Sequence, residues 1–506
     1  MMRLIDGLID RITMYRLVLY VLIAFVALGA VAAAAGKLAF SPVMLLLSTG
    51  FLVLMCWAAN TLLGRVFDVP TNIESALVTA LILALIMDPP RSANDLIALG
   101  WAAILAMGSK YILALHNKHL FNPAAIAAVV VGFALKDPAS WWIGTVYMFP
   151  PVLIGGLLIV RKVRQEAMAG SFVLAALVAE TAASVLQHLS ITTELQQLVI
   201  ASPLVFFAAI MLTEPLTAPP TRGLRQLYGA LTGVLFTPQL HLGSIYSTPE
   251  IALVLGNVFS YLVSPKEKYL LRLKRRTRLS PDTFDFAFQR PPALAFAPGQ
   301  YMEWTLGFPG ADSRGNRRFF TLASSPTERT LHLGVKFYEK GSTYKQAMLG
   351  LNSRTTILAG QVAGDFTLPA DPDQKLAFVA GGIGITPFRS MLKYLVDTGE
   401  KRDVLLIYAC RTVDDIVYTD VLDDAYRQLG IPTYYTLTDA ATVPKKWTGY
   451  VGRVDHAMIA QLVPDFSERT FYLSGPPEMV RATERTLRAL RVGGAQIKKD
   501  YFVGLA

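Results

Sequence analysis

The chain has 506 residues, enough for about three domains, with 47 Lys and Arg against 37 Asp and Glu, a net charge of +10. At 53% hydrophobic and 17% charged it is too apolar for a purely soluble protein, and its basicity lacks the aromatic-interleaved stripe of a nucleic-acid binder. Two cysteines, Cys56 in an apolar run and Cys410 at a strand end, exclude both a disulfide framework and an iron–sulfur cluster held within one chain.

Apolar segments recur at 16–35, 40–63, 73–88, 97–115, 122–135, 143–160, 170–188, 197–213, 226–240 and 248–264. This spacing predicts an all-α polytopic membrane domain of about ten helices over residues 1–264, embedded in a lipid bilayer. The first segment exceeds the apolar run of a signal peptide and reads as a retained anchor. With the N-terminus on the cytoplasmic side, Arg3, Arg11, Arg16, Arg65, Lys118, Arg161, Lys162, Arg164, Arg222, Arg225 and the Lys266–Arg278 cluster fall inside, and only Arg91 and Lys136 fall clearly outside. That assignment implies an integral protein of a bacterial-type inner (plasma) membrane, with the hydrophilic half in the cytoplasm.

The apolar half also echoes itself. Ala84-Leu85-Ile86-Met87-Asp88-Pro89 resembles Ala209-Ile210-Met211-Leu212-Thr213-Glu214-Pro215, and Asn122-Pro123-Ala124-Ala125-Ile126-Ala127 resembles Thr248-Pro249-Glu250-Ile251-Ala252, both at an offset of 126 residues. Five segments separate the copies, an odd number, which predicts an inverted repeat whose short, Pro-interrupted helices build a midplane site. Asp88 and Glu214 are then candidates for a cation or proton site, the plainer alternative being acids that end helices before Pro. His116, His119, His188 and His241 lie near segment ends, where interfacial hydrogen bonding fits better than the facing ligands of a bis-His haem.

Beyond Val263 the basic linker Lys266–Arg278 suits anionic headgroups and leads into β-type segments that include Pro298-Gly299-Gln300-Tyr301. In Arg318-Phe319-Phe320-Thr321, strand alternation sets Arg318 and Phe320 on one face and Thr321 on the other. A guanidinium for phosphate, a flat ring for an isoalloxazine and a hydroxyl near N5 thus converge, the bland alternative being a core strand with an exposed Arg. Gly341-Ser342-Thr343 offers small and hydroxyl residues at a helix start for flavin phosphate. An apolar strand, 376–380, then runs into Gly381-Gly382-Ile383-Gly384-Ile385-Thr386-Pro387 and a helical pattern. Glycines there let the backbone approach a pyrophosphate and Pro387 suits the first helical position, although the spacing is not GxGxxG. Arg411 favours a 2′-phosphate while Asp414 and Asp415 oppose it. A further strand, 470–473, ends in Ser474-Gly475-Pro476-Pro477-Glu478-Met479.

These motifs, in this order over residues 266–506, resemble the ferredoxin–NADP reductase family. The resemblance implies a β-barrel FAD-binding domain over 265–370 and an α/β NAD(P)-binding domain over 371–506. It implies hydride transfer from nicotinamide to flavin, with Thr321 and Ser474 as positioning groups at the reacting atoms. Phe320 replaces the family's Tyr and Ser474 its Cys. The tail Asp500-Tyr501-Phe502-Val503-Gly504 resembles the acidic-x-Phe-x-Gly ending of bacterial members, and Phe502 or Tyr501 is expected to cover the flavin. Thr13-Met14-Tyr15-Arg16, Phe121-Asn122-Pro123-Ala124-Ala125, Thr213-Glu214-Pro215-Leu216-Thr217-Ala218-Pro219 and Leu227-Tyr228-Gly229 look like the related D subunit of Rnf electron-transport complexes and B subunit of the sodium-pumping NADH:quinone reductase. That family carries FMN on a Thr in a Ser/Asp-Gly-x-Thr loop. No such loop is found here, which leaves a non-covalent FMN, riboflavin or quinone as the expectation for residues 1–264. The final electron acceptor and any complex partners are not named by the sequence.

Overall fold

Long runs of Leu, Val and Ala wind the first part of the chain into helices, and alternating or continuous apolar runs build two sheets in the second. A computed structural model describes residues 12–67, 73–115, 118–264, 268–308, 310, 316–339 and 341–500. The chain divides between Lys268 and Tyr269 into two units.

The first unit contains α1 (Met14–Ala34), α2 (Pro42–Val66), α3 (Ile73–Ile86), α4 (Ala93–Ile112), α5 (Pro123–Ala134), α6 (Phe149–Val163), α7 (Glu166–Leu186), α8 (Ile191–Ile200), a following turn of helix at Leu204–Met211, α9 (Arg222–Leu235) and α10 (Pro249–Val263). Among the described residues four of these, α1, α2, α4 and α7, are long and apolar enough to cross a membrane, or five spans if α8 and Leu204–Met211, bent by 53°, count as one. The expectation of about ten spans, several of them short, is therefore not shown by helix length and composition. Helix length is the reason. Asp88-Pro89-Pro90 stops α3 after 14 residues and Pro123 starts an α5 of only 12, so they reach ~21 Å and ~18 Å against a hydrocarbon thickness of ~30 Å.

The internal echo has a structural counterpart. α3 ends just before Asp88-Pro89, as Leu204–Met211 ends before Glu214-Pro215. After the next helix, small hairpins at Ala114–Leu115/Lys118–His119 and His241–Leu242/Ile245–Tyr246 lead into α5 and α10. Both of those helices have Pro at the start and a side-chain cap. Asn122 Oδ1 accepts from the Ala124 and Ala125 N–H groups at 3.1 Å, and Thr248 Oγ1 from Ile251 N–H at 3.4 Å.

The second unit opens with β1 (Tyr269–Ser280), β2 (Thr283–Gln289), β3 (Tyr301–Thr305), β4 (Arg317–Thr321), β5 (Thr330–Lys336), the short helix α11 (Thr343–Leu349) and β6 (Thr356–Ala363). They form one antiparallel sheet in the order β4-β3-β6-β1-β2-β5. Its core holds Phe286, Phe288, Trp304, Leu331, Leu333 and Tyr344. The expected barrel is not closed by a ladder among the described residues. The two end strands meet instead through Ala323 N–H, just past β4, donating to the His332 carbonyl at 2.9 Å.

The remainder alternates β7 (Leu376–Gly381), α12 (Thr386–Thr398), β8 (Val404–Cys410), α13 (Thr419–Leu429), β9 (Thr433–Leu437), β10 (Tyr450–Val451), α14 (His456–Leu462), β11 (Thr470–Ser474), α15 (Pro477–Ala489) and β12 (Ile497–Lys499). Its sheet is parallel, in the order β10-β9-β8-β7-β11-β12. β7 is apolar throughout because both faces are covered. Leu376, Phe378 and Ala380 meet Phe388, Met391 and Leu392 of α12, while Ala377 and Val379 meet the opposite core with Ile459 and Leu487.

Candidate active site

Strand alternation at β4 gives the arrangement expected of it. The Arg318 guanidinium lies 5.0 Å from the centroid of the Tyr344 ring and the Phe320 ring 6.2 Å from the same ring. Tyr344 itself is anchored by donating to the Trp304 carbonyl at 3.1 Å. Thr321 turns the other way, is buried, and hydrogen-bonds Asp500. Asp500 Oδ2 also accepts from Ser474 Oγ at 3.0 Å. Burial pushes the Asp500 carboxyl up to about 7, against the opposing pull of the Ser474 and Thr321 bonds. One acid thus links the two hydroxyls singled out by sequence. Nothing in the sequence marks Asp500 as a site residue beyond the acidic-x-Phe-x-Gly tail. Tyr501 and Phe502 lie outside the described residues.

The two glycine turns close on each other. β7 and β11 are neighbours with Ala380 opposite Ser474, and β8 flanks β7 on its other side. The chain therefore leaves β7 in one direction and returns through β11 in the other, a topological switch point where open α/β sheets bind ligands at their strand ends. A Cβ on Gly384 would lie 2.5 Å from the Ser474 carbonyl, and one on Gly475 would lie 3.0 Å from the Gly381 backbone. Gly382 has φ of 51° with open space where a side chain would stand, which suits an approaching phosphate. A single 3-10 turn, Gly382–Ile385, intervenes before α12, so Thr386 is its first residue and Pro387 its second. Pro476 precedes α15 directly.

Other expected residues have different surroundings. Gly341 donates to the Tyr338 carbonyl at 2.9 Å, and Ser342 Oγ already accepts from Lys345 N–H at 3.3 Å as the cap of the helix that Thr343 begins. Arg411 is exposed, 3.9 Å from Asp415, a surface pair of little weight. Asp415 faces Lys336 Nζ at 2.6 Å. Burial works against its ionised form, but the Lys336 bond and charge and the Thr412 bonds prevail and hold it below the usual carboxylate range. Burial pushes the Cys410 thiol up to about 12, so it is not a reactive thiolate.

Between the two sheets lies a polar seam that the sequence does not reveal. Tyr418 OH donates to Asp285 Oδ1 at 2.9 Å and His332 Nδ1 meets Asp285 Oδ2 at 2.7 Å. Arg389 Nη2 donates to Glu328 Oε1 at 2.9 Å and its Nη1 to the Ala323 carbonyl at 2.9 Å. Ser390 Oγ donates to the Ser324 carbonyl at 2.6 Å. These partners are separated by tens of residues and follow no local pattern.

In the first unit, Glu214 and Asp88 are not brought together by any hydrogen bond among the described residues. Asp88 is exposed. Glu214 Oε2 accepts from Asn122 Nδ2 at 2.9 Å and Thr217 Oγ1 at 3.2 Å. Asn257 in turn accepts from Asn122 N–H at 2.8 Å and donates to Tyr228 OH at 2.9 Å. Glu250 Oε2 accepts from Trp141 Nε1 at 2.7 Å. The cap of one repeat therefore holds the acid of the other.

A model of the oxidoreductase NAD-binding domain family matches residues 378–485. The stachydrine N-demethylase reductase subunit Stc4 of Rhizobium meliloti (strain 1021) is 32% identical over 232 residues, 45% of this chain and 64% of that protein. The glycine betaine monooxygenase reductase subunit of Chromohalobacter salexigens is 25% identical over 209 residues, 41% of this chain and 56% of that protein. The chain spans less than two thirds of either relative's length. Among solved structures, the FAD/NAD binding domain of nitric oxide dioxygenase from Vibrio cholerae O1 biovar El Tor is 20% identical with a TM-score of 0.41, covering 46% of this chain and 97% of that one. Residues 378–485 thus match an oxidoreductase NAD-binding domain, and the C-terminal half is similar to reductase subunits.

Proposed function

We propose that the chain is a membrane-bound NAD(P)H-dependent flavoprotein reductase, with a membrane domain over 1–264, an FAD-binding domain over 265–370 and an NAD(P)-binding domain over 371–506. The supporting observation is Asp500, which ties Thr321, at the end of the strand bearing Arg318 and Phe320, to Ser474, beside the paired glycine turns. The expected flavin segment and the expected nicotinamide segment thereby share one hydrogen-bonded group. Arg318 and Phe320 would hold FAD, together with Gly341, Ser342 and Thr343. The backbone at Gly381, Gly382 and Gly384, with Thr386, Pro387, Gly475 and Pro476, would hold NAD(P)H, and the exposed Arg411 is the residue to test for a 2′-phosphate. FAD, when bound, supplies hydride acceptance from NAD(P)H and release of electrons singly. Thr321 and Ser474 orient the reactants, and Asp500 holds a proton between them. Relatives described as reductase subunits favour an acceptor on another protein or in the bilayer. Exposed apolar side chains such as Leu47 (62%) and Leu174 (64%) on the long helices favour lipid contact. The experiment is the visible spectrum of the detergent-purified protein before and after NADPH or NADH. A flavin band that bleaches is expected, and a colourless protein would end the proposal.

A second reading, a redox-linked ion or solute transporter or a subunit of an electron-transport complex, is favoured by the Asn122–Glu214 bond between the repeats. Glu214→Gln in vesicles should abolish flux while leaving NADPH oxidation intact. Loss of electron transfer with no flux ever detected would instead assign the acid to the redox path.

A further inference from the structure

A buried tyrosine needs an acceptor for its hydroxyl, and one whose ring also faces a cation does more than fill space. Tyr344 on α11 is fully buried, and its hydroxyl donates to the Trp304 carbonyl at 3.1 Å. Trp304 is the cross-strand partner of Arg318, as Met302 is of Phe320. The hydroxyl therefore grips β3 opposite the residue that carries the guanidinium.

Three groups surround the ring. The Arg318 guanidinium lies 5.0 Å from its centroid, the Phe320 ring 6.2 Å away at 39° and the Phe308 ring 6.2 Å away at 73°. Arg318 Nη1 also donates to the Arg317 carbonyl at 2.6 Å. A guanidinium on a long stem loses rotamer freedom when it grips an anion. Here the ring face and the carbonyl restrict it beforehand, which lowers that cost. Tyr344 belongs to neither β3 nor β4, so one side chain ties α11 to the strand that bears both Arg318 and Phe320.

We propose that Tyr344 is a positioning residue for FAD, presetting the Arg318 guanidinium for phosphate and the Phe320 ring for the isoalloxazine. This rests on the assignment of Arg318 and Phe320 to FAD made above. An aliphatic residue could fill the same space, but it would offer the cation no π face and β3 no donor. Tyr344 acts through its neighbours, so its effect on FAD should vanish when the guanidinium is gone.

FAD affinity is read from quenching of FAD fluorescence on the flavin-stripped full chain in detergent, for wild type, Tyr344→Leu, Arg318→Ala and the double variant, with melting temperatures recorded alongside. Tyr344→Leu should weaken binding about tenfold in the wild-type background and less than about threefold after Arg318→Ala. Tyr344→Phe, which keeps the ring and loses only the bond to Trp304, should melt lower yet hold FAD within about threefold of wild type. Losses that multiply independently in the double variant overturn the proposal, since a plain core residue would behave that way. Should Tyr344→Leu fail to fold, Tyr344→Phe carrying one to three ring fluorines decides the matter. Fluorine drains the ring face with little change of shape, so affinity should fall stepwise, and a flat series overturns the proposal. A wild-type chain that takes up no FAD ends the flavoprotein reading and this inference with it, whereas FAD binding unmoved by Tyr344→Leu ends this inference alone.

Discussion

Asp500 is the residue on which the C-terminal chemistry turns. Its carboxyl, pushed up to about 7 by burial, is protonated in the folded protein over a range where an unfolded chain would be ionised, from about pH 4 to about 7. The folded state holds the extra proton in that window, so this group's contribution to stability is greatest at its acid end and declines as pH rises through the folded value. Asp500→Asn should abolish that decline in thermal melts taken from pH 5 to 8. The same variant should flatten the pH profile of NADPH-driven reduction around neutrality, and a profile identical to wild type would remove Asp500 from the reaction. Thr321 and Ser474 were legible as a strand-end hydroxyl and a turn residue. That both bond one acid was not, because Asp500 lies 26 residues beyond Ser474 and follows a separate strand.

At the scale of elements, the seam between the two sheets and the packing of the glycine turns decide the geometry. Arg389 is 6% exposed and paired with Glu328, so Arg389→Leu leaves a half-buried carboxylate with only the Ser325 N–H to answer it. A loss of ~3–5 kcal/mol is expected in urea unfolding of the C-terminal unit, and replacing both partners with Met should recover most of it. A change under ~1 kcal/mol for the single variant would mean that the pair is effectively solvated. Gly384→Ala sets a methyl group 2.5 Å from the Ser474 carbonyl. Ordinary contact begins at 3.4 Å, so the turn backbone must shift by nearly an ångström, which should cost at least ~1–3 kcal/mol and weaken nicotinamide nucleotide binding, measured by titration calorimetry. Unchanged affinity would show that the nucleotide does not approach this turn.

For the whole molecule, the decisive property is whether helices that expose Leu, Val and Ile meet lipid. Four helices have the length and hydropathy to cross a membrane, and the expected outcome is that alkaline carbonate leaves the chain in the membrane pellet. Its release into the supernatant would reduce the first unit to a soluble helical domain. The count of spans could not be taken from hydropathy because apolar runs broken by Asp88-Pro89-Pro90 or begun at Pro123 are indistinguishable, in composition, from full-length spans. Only their wound length of 14 and 12 residues separates them.

What the sequence determined by itself was local: period-two alternation at Arg318–Thr321, the strand–glycine–helix order at Gly381–Pro387, and the 126-residue echo that reappears as paired hairpins and Pro-started helices. Each is written in contiguous residues, because backbone sterics and hydrophobic periodicity act over a few positions. What the tertiary structure alone decided was pairing over distance: Asp500 between Thr321 and Ser474, Arg389 against Glu328, Asn122 on Glu214, and Gln239 on Glu180. Those contacts arise where elements far apart in the chain are packed together by burial of their apolar faces, and no spacing rule in one dimension encodes which polar groups that packing brings face to face.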